Sequence, residues 1–261
     1  MFDSDELLAL GDVFSHEFKT PLAVIRSYIN NIERRFEEGT IESMDMRKTA
    51  GAIRHCCNNL SKLSENITLA SSKKKIHANR FYYDVAEQIN TICFMTNELF
   101  SDGNVKATFE SKTDPLIFNA DADLIMSIIL NLISNGIKYN ISELKQIDIT
   151  AEIKNERLCI SVKDNGIGFP KEEAENIFER YYRTDNSAVM MASGLGLGLF
   201  LVKKMVEAHD GTIVAKPTKK GTTFKIEIPP LKELVFRSPS MVYVREELVE
   251  RELSGELLKF E

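Results

Sequence analysis

The stretch NLISNGIKY, residues 131–139, lies within an otherwise apolar run and decides the fold. Asn131, Asn135 and Lys138 recur at intervals of four and three residues, so a helix places all three on one face. Two amide oxygens suit Mg²⁺, which takes its other ligands from water and phosphates, and a lysine adds positive charge for those phosphates. A solvated polar face on an ordinary helix explains the pattern equally well at this point.

A second polar stretch, DNGIG at residues 164–168, directly follows a strand pattern. By itself, Asp-Asn-Gly is an ordinary turn signal. If a purine ligand binds nearby, Asp164 is placed to accept a hydrogen bond from the exocyclic amine of adenine. Gly166 and Gly168 would then let the backbone approach the ring closely.

The glycine-rich stretch GLGLGL, residues 194–199, opens a helical pattern that continues from Phe200 to Ala208. Backbone N–H groups at a helix N-terminus bind phosphate groups. The stretch lacks the Gly-Lys-Ser/Thr ending of the P-loop, and it does not open the βαβ unit of the dinucleotide fingerprint. Taken alone, it is also compatible with a flexible loop.

Near the N-terminus, the stretch HEFKTPL occupies residues 16–22 within a helical pattern. A neutral imidazole is a competent nucleophile near pH 7, and Glu17 could accept the other ring N–H of His16. Thr20 lies one helical turn from His16, where its hydroxyl could orient a water molecule. Pro21 leaves the carbonyl of Glu17 without its helical donor and predicts a kink. An exposed His-Glu pair with a tolerated proline is the alternative.

The first part of the chain predicts a helical hairpin. Apolar residues recur at helical spacing from Leu7 to Phe36, a break follows at residues 37–40, and a second periodic run extends from Met46 to Ile67. A lone hairpin leaves a wide apolar stripe exposed to water. Pairing of two copies into a four-helix bundle removes that exposure, so we expect a homodimer.

Residues 81–230 mix helical and strand patterns. Residues 85–100 and 124–139 are predicted to be helices, whereas residues 147–153 and 158–163 alternate as a β-hairpin and residues 223–228 as a further strand. These elements predict helices packed on one face of a mixed sheet.

The fold class predicted is therefore α+β, with an N-terminal helical hairpin forming a dimeric four-helix bundle, followed by an α/β two-layer sandwich. We expect the hairpin to span residues 1–75 and the sandwich residues 76–230. Residues 231–261 form a C-terminal extension of unknown role, which we expect to be a surface helix or a frayed end.

Composition excludes some classes of function. The 261 residues carry a net charge of −6 without a basic face, so no nucleic-acid partner is expected. The four cysteines lack paired metal-ligand spacing and are expected to be reduced thiols. No apolar run reaches the ~18 residues of a membrane span, so we expect no membrane contact by this chain itself.

The order of these stretches resembles that of the sensor histidine kinases of two-component systems, over about residues 5–230. The matching segments are the histidine box at 16–22, the asparagine box at 131–139, the first glycine box at 164–168, the phenylalanine box at 177–183, the second glycine box at 194–199 and the closing strand entry at 221–224. The resemblance implies the Bergerat-type ATP sandwich that gyrase and the Hsp90 chaperones share.

The resemblance also implies catalytic and metal roles. His16 would be the phospho-acceptor, Glu17 its base, and Thr20 the residue that supports a phosphatase activity. Asn135 would coordinate Mg²⁺, with Asn131 beside it.

The nucleotide site implied by the resemblance would bind ATP. Its phosphates would meet Lys138 and the second glycine box, its adenine would meet Asp164 and Tyr139, and residues 171–193 would form a mobile lid. The positions expected to contact ATP are Asn131, Asn135, Lys138, Tyr139, Asp164, Gly166, Gly168, Phe178, Arg183, Gly194, Gly196, Leu197, Gly198, Leu199 and Thr223.

The function implied is autophosphorylation of His16 from ATP, followed by transfer to an aspartate of a response regulator, with a hinge near residues 71–80. Such a chain is expected in the cytoplasm, either free or as the cytoplasmic part of a membrane-bound kinase. ATP-hydrolysing relatives carry a glutamate where this chain has Asn131, and an amide takes no proton, so slow hydrolysis is expected. A catalytically weak ATP-binding scaffold and an ATP-driven clamp are the alternatives.

One departure from the family pattern lies inside the asparagine box. Gly136 replaces the usual alanine, which is expected to cost about 1 kcal/mol of helix propensity and to loosen that helix.

Overall fold

The structure is a computed structural model that describes residues 4–40, 43–72, 74–184, 194–218, 220–231 and 240–257. The later half of the predicted lid, residues 185–193, lies outside the described residues.

Two long helices form the N-terminal hairpin, α1 (Ser4–Glu37) and α2 (Ser43–Ser71). The turn that follows α1 uses Gly39 at φ 67°, and the N–H of Thr40 donates to the carbonyl of Arg35 at 2.9 Å. A positive φ favours glycine, because other residues there place Cβ against their own backbone. The helix α1 continues through Pro21.

The second part of the chain alternates strands and helices. Its elements are β1 (Phe81–Asp84), α3 (Val85–Leu99), β2 (Val105–Ser111), β3 (Ile117–Ala120), α4 (Ala122–Lys138), β4 (Lys145–Lys154), β5 (Arg157–Asp164), α5 (Gly198–Ala208), β6 (Thr212–Thr218), β7 (Gly221–Ile228) and α6 (Glu246–Leu257), with short 3₁₀ turns at Lys171–Glu173 and Asn176–Phe178.

The main sheet has the strand order β2-β4-β5-β7-β6. The β2–β4 pair is parallel and the other pairs are antiparallel, while β1 and β3 form a separate antiparallel pair. Burial alternates along β4, β5 and β7, so one face of the sheet is covered by α3, α4 and α5. This is the predicted arrangement, a helical hairpin followed by a two-layer sandwich.

Aspartate caps fix the starts of two helices under the sheet. The side chain of Asp84 accepts from the N–H groups of Ala86 and Glu87 at the start of α3, and that of Asp121 accepts from the N–H of Leu124 at 3.0 Å at the start of α4. Each cap satisfies N–H groups that have no partner within the helix. The position of α4 matters most, because its polar face forms part of the site described below.

The end of the segment joining the two parts is fixed to the sandwich. The guanidinium of Arg80 donates to the carbonyls of Asn119, Pro229 and His209 at 2.7–3.3 Å. The N–H of Asn79 donates to the side chain of Asp121 at 2.7 Å. Any hinge between hairpin and sandwich therefore lies before residue 79.

The prediction for the C-terminal extension was wrong. Helix α6 is not a surface helix, because Val249 is 1% exposed and Leu253 is 0% exposed. It packs against α2, α3 and α4, between the hairpin and the sandwich. Two apolar residues one turn apart in a charged segment carry too little signal to predict such a contact.

Within the described ranges, no helix combines the length and the apolar character that crossing a bilayer requires.

Candidate functional site

The polar face of α4 turns toward a cleft between hairpin and sandwich. The amide nitrogen of Asn131 donates to the carbonyl of Ser127 at 2.9 Å, and the side-chain oxygen of Asn131 lies toward Gly198. The amide nitrogen of Asn135 is buried and has no hydrogen-bond partner in the described part of the chain. A buried donor without a partner is costly and commonly marks a position that a ligand completes.

Lys138 ends the same face. Its ammonium lies 5.0 Å from the ring centroid of Tyr139, and an added Cβ at Gly194 would lie 2.6 Å from the lysine Nζ. Glycine at 194 therefore lets the chain pass close to this positive charge. Lys138 and the backbone at Gly194 together form an electropositive corner that suits an anion.

Asp164 lies at the end of β5, beside a smaller pocket. Its Oδ1 accepts from the N–H of Gly166 at 2.9 Å and from the N–H of Thr222 at 3.1 Å. Burial raises the pKa of this carboxyl above its ordinary value, and the backbone hydrogen bonds partly offset that effect. The pocket encloses about 90 Å³, and Asn135, Tyr139 and Leu199 line both this pocket and the cleft between hairpin and sandwich.

Glycines hold the backbone close around this pocket. An added Cβ would lie 2.5 Å from the carbonyl oxygen of Tyr139 if placed at Gly166, and 2.0 Å from that of Asp164 if placed at Gly221. Neither approach is possible for a residue with a side chain. Gly136 allows a less extreme close approach, because an added Cβ there would make a tight contact of 3.1 Å with the side chain of Ile147. The expectation that Gly136 loosens α4 did not take into account that a glycine lets α4 approach the sheet closely.

The second glycine stretch leads into α5 as predicted. Gly194 and Gly196 have φ of 135° and 68°, and a Cβ at Gly196 would lie 2.6 Å from the carbonyl oxygen of Tyr182. Helix α5 has no side-chain cap at Leu197. Leu197, Gly198 and Leu199 line the cleft, so the start of α5 lies at the cleft, where the helix dipole favours an anion.

The hairpin closes the cleft from the other side. His16 is exposed on α1, and the carboxylate of Glu17 accepts from the N–H of Gly194 at 2.8 Å. The hydroxyl of Thr20 donates to the carbonyl of His16 at 3.0 Å. The cleft encloses about 380 Å³, within the range of ligand sites in proteins.

The structure brings most of the predicted residues into these two adjoining spaces. Those that line them are His16, Glu17, Thr20, Asn131, Asn135, Lys138, Tyr139, Asp164, Gly168, Arg183, Gly194, Gly196, Leu197, Gly198 and Leu199.

Three predicted contact residues lie outside the linings. Gly166 supports Asp164 through its N–H, and Phe178 is buried against Phe224, with ring centroids 6.4 Å apart. The pocket is lined by Thr222 rather than Thr223. Strand alternation accounts for this difference of one residue, because successive side chains on β7 point to opposite faces.

Sequence reasoning missed a row of polar side chains on α2. His55, Asn59, Lys62 and Asn66 all line the cleft opposite the glycine stretch, and Glu252 of α6 reaches it as well. The three- and four-residue spacing of the α2 row is a helical-face signal that was available in the sequence. It was hidden within an ordinary amphipathic pattern.

Comparison with known proteins agrees with this geometry. Residues 120–232 match the family described as histidine kinase-, DNA gyrase B-, and HSP90-like ATPase. The fold and the site thus define an ATPase domain of this class.

The chain is 32% identical over 215 residues to the signal transduction histidine-protein kinase ArlS of Staphylococcus haemolyticus, a match that covers 81% of this chain and 46% of ArlS. The predicted resemblance to sensor histidine kinases is confirmed, and the chain spans about half the length of the relatives it matches.

Solved structures show the same architecture. The catalytic domain of histidine kinase ThkA is 28% identical, with a TM-score of 0.51 over 58% of this chain and 97% of that domain. ThkA in complex with the response regulator protein TrrA aligns at a TM-score of 0.59 over 87% of this chain and 64% of ThkA, at 24% identity. The second alignment includes the helical hairpin and supports the fold alone.

Proposed function

We propose that this chain is an ATP-dependent protein histidine kinase that phosphorylates its own His16. The observation that carries the proposal is the cleft in which His16 faces Asn135, Lys138 and the second glycine stretch. A nucleophile and a phosphate-binding corner in one cleft are the two requirements of phosphoryl transfer to a side chain.

The described residues fit an adenine nucleotide. The pocket beside Asp164 offers a buried carboxylate for the adenine amine, and Tyr139 lines both the pocket and the cleft. The unpartnered amide of Asn135 and the close backbone approach at Gly194 lie where the phosphates would follow. Base and phosphates would thus bind in adjoining spaces.

Mg²⁺ fits the donor set of α4. The described residues contain no group of three His, Cys, Asp or Glu side chains that could hold a metal ion. Side-chain oxygens of Asn135 and Asn131 would instead hold the ion together with phosphate oxygens and water, as is usual for Mg²⁺. When bound, the ion would neutralise phosphate charge.

The chemistry proposed for this chain is a displacement at phosphorus. The unprotonated ring nitrogen of His16 forms a bond to the γ-phosphorus of ATP, the bond to the β–γ bridging oxygen breaks, and ADP leaves. The other ring nitrogen gives its proton to Glu17, which leaves the phosphorylated imidazole neutral. Lys138 and the N–H groups at the start of α5 would offset the charge that develops on the leaving oxygens. Asn131 cannot take a proton from water, so hydrolysis would compete poorly.

The test is incubation with γ-labelled ATP and Mg²⁺, comparing the original chain with His16→Gln. We expect acid-labile, base-stable label on the original chain and none on the variant. His55→Gln is the matched control, because this second imidazole lines the same cleft from α2. Label that survives in His16→Gln but disappears in His55→Gln would show that His55, and not His16, is the phospho-acceptor. ATP binding without any label on either chain would favour the scaffold alternative.

The partner we propose is the receiver domain of a response regulator, which takes the phosphoryl group onto an aspartate. The support is the similarity to named signal transduction kinases and the exposure of His16. Because ATP and such a partner are cytoplasmic, the reaction would take place in the cytoplasm. Dephosphorylation through Thr20 is part of this proposal, because its hydroxyl donates to the carbonyl of His16 and would orient a water molecule by accepting a hydrogen bond from it.

We also propose that residues 1–75 pair with a second copy and that residues 76–230 bind the nucleotide. Leu22, Ile29 and Phe36 recur every seven residues on α1 and are 52%, 43% and 76% exposed. Such a stripe is the seam expected of a helical bundle. Light scattering of Ile29→Lys should show a monomer where the original chain shows a dimer, and a dimer in both would contradict this seam.

A further inference from the structure

The C-terminal helix α6 packs between the sandwich and the hairpin, and it contacts the hairpin through charged side chains as well as through its buried apolar face. Val249 and Leu253 are buried in the core that includes α3 and α4. Beside this apolar face, Glu252 forms an ion pair with Lys62 of α2 at 2.9 Å. Arg251 forms a second pair with Glu65 of α2, also at 2.9 Å.

The Lys62–Glu252 contact is more than a surface pair. Lys62 also donates to the backbone carbonyl of Glu252 at 2.8 Å, and the two side chains are only 21% and 11% exposed. Partly buried ion pairs are screened less by salt than exposed pairs. This contact therefore joins the two parts of the chain at a defined distance.

Helix α6 is one of several elements that join the two parts, because Phe14 of α1 also packs against Tyr181, with ring centroids 5.7 Å apart. Residues 74–80 contain no helix or strand, and they are attached by the packing of Ile76 against the core and by the hydrogen bonds of Asn79 and Arg80 to the sandwich. Helix α6 thus joins the sandwich to the hairpin, as the linker of residues 74–80 does along the chain. It does so at the cleft, which Glu252 lines. Its contacts set how closely the sandwich lies against the hairpin.

We call the arrangement with the sandwich against the hairpin the closed arrangement. In it, Glu17 binds a hydrogen-bond donor of the electropositive corner that Lys138 and Gly194 form. Its carboxylate accepts from the N–H of Gly194, beside the ammonium of Lys138. A nucleotide phosphate that approached this N–H would compete with the carboxylate and be repelled by its charge. Phosphate binding at the N–H of Gly194 therefore requires the carboxylate of Glu17 to leave it.

We propose that α6 is an intramolecular latch, in which its contacts with α2 hold the sandwich against the hairpin and keep Glu17 on Gly194 until nucleotide displaces it. The latch rests on the proposed function, because it regulates access to the same nucleotide site. A protein that is mostly closed binds its ligand with an affinity reduced by the fraction that is open. Weakening the latch should thus tighten nucleotide binding.

The test is calorimetric titration of the full chain with a non-hydrolysable ATP analogue and Mg²⁺. We expect Lys62→Glu and Glu252→Lys to bind roughly three- to tenfold more tightly than the original chain, as the open fraction rises. In the double variant with both exchanges, the affinity should return most of the way to that of the original chain. The hydrogen bond from Lys62 to the carbonyl of Glu252 is not restored. Circular dichroism and thermal unfolding confirm that each variant folds.

Arg245→Ala is the matched control. Arg245 pairs with Asp123 of α4 at 3.1 Å, so this ion pair ties the segment before α6 to the sandwich and does not reach the hairpin. Its loss should leave the affinity unchanged. Hydrogen exchange gives an independent measurement, because the Lys62→Glu variant should exchange faster in residues 74–78 and in α6 than the original chain does.

The outcomes separate the latch from the proposed function. Binding that is unchanged or weaker in both folded single variants would overturn the latch while leaving the nucleotide site intact. Equal tightening by Arg245→Ala would also overturn it, because the effect would not depend on contacts with the hairpin. Absence of binding in every variant and in the original chain would overturn the proposed function itself, and the latch with it.

Discussion

Replacement of Asp164 by asparagine should separate adenine recognition from folding. Oδ1 of Asp164 accepts from the N–H groups of Gly166 and Thr222. Asparagine keeps one such oxygen, so both N–H groups remain satisfied. The second oxygen becomes an NH₂ group, which cannot accept from the exocyclic amine of adenine and instead opposes it donor to donor.

The size of the effect follows from the lost hydrogen bond. A hydrogen bond to a charged group contributes about 1.5–3 kcal/mol. The affinity for an adenine nucleotide should therefore fall roughly 10- to 150-fold, since every 1.4 kcal/mol is tenfold. Asp148→Asn is the matched control, because Asp148 lies exposed on β4 and accepts from the hydroxyl of Thr108 instead.

Stability should move in the opposite direction. Burial raises the pKa of Asp164 above its unfolded value, so the protonated form favours folding. That contribution is complete below the unfolded pKa and is lost as pH rises through the folded pKa. At neutral pH the ionised carboxylate opposes folding, and the asparagine variant should be at least as stable as the original chain, with less difference between them in acid.

Two measurements decide the outcome: calorimetric titration with a non-hydrolysable ATP analogue, and urea unfolding at neutral and acid pH. Unchanged affinity in Asp164→Asn would refute the assignment of Asp164 to adenine. Weaker binding together with a large loss of stability would refute the separation argued above, because the residue would then act through the fold.

Three further predictions concern the glycine stretch, α6 and a buried histidine. Gly196→Ala should cost about 1–3 kcal/mol and weaken nucleotide binding, because φ is 68°, whereas Gly51→Ala in exposed α2 should stabilise by about 0.5–1 kcal/mol in urea unfolding. Leu253→Ala should cost about 2–5 kcal/mol by the same measurement, against a change within about 0.5 kcal/mol for the 78% exposed Met241→Ala. Burial lowers the pKa of His209, so stability should be lost as pH falls from its unfolded value of about 6.5 through its folded pKa, and His209→Gln should flatten that dependence.

The sequence predicted the parts of the site that lie on single elements. The helical period alone places Asn131, Asn135 and Lys138 on one face, and the structure has them along one side of the cleft. The glycine stretch was likewise predicted to open a helix, which begins at Gly198. In both cases the local period fixes the direction of the side chains, so no long-range information is needed.

Contacts between distant elements were harder to predict. The burial of Leu253 depends on a surface that α2, α3 and α4 build together, and each of these helices lies more than a hundred residues earlier. A pair of apolar residues in a charged helix is equally compatible with solvent. The choice of Thr222 over Thr223 depends on the pairing of β7 with β5, which places Thr223 opposite Lys163. Alternation alone leaves such a register open by one residue.

Helix α4 shows why site and core are inseparable here. Its apolar faces are almost wholly buried against the sheet, with Ile129 and Ile133 at 0% exposure, and this packing leaves no freedom to rotate. The polar face is therefore held toward the cleft even though one amide donor, on Asn135, has no partner among the described residues. A helix selected for stability alone would carry an apolar residue there. The packing of α4 thus offsets the cost of the unpartnered amide donor of Asn135. It also fixes the polar side chains of α4 in place before any nucleotide arrives.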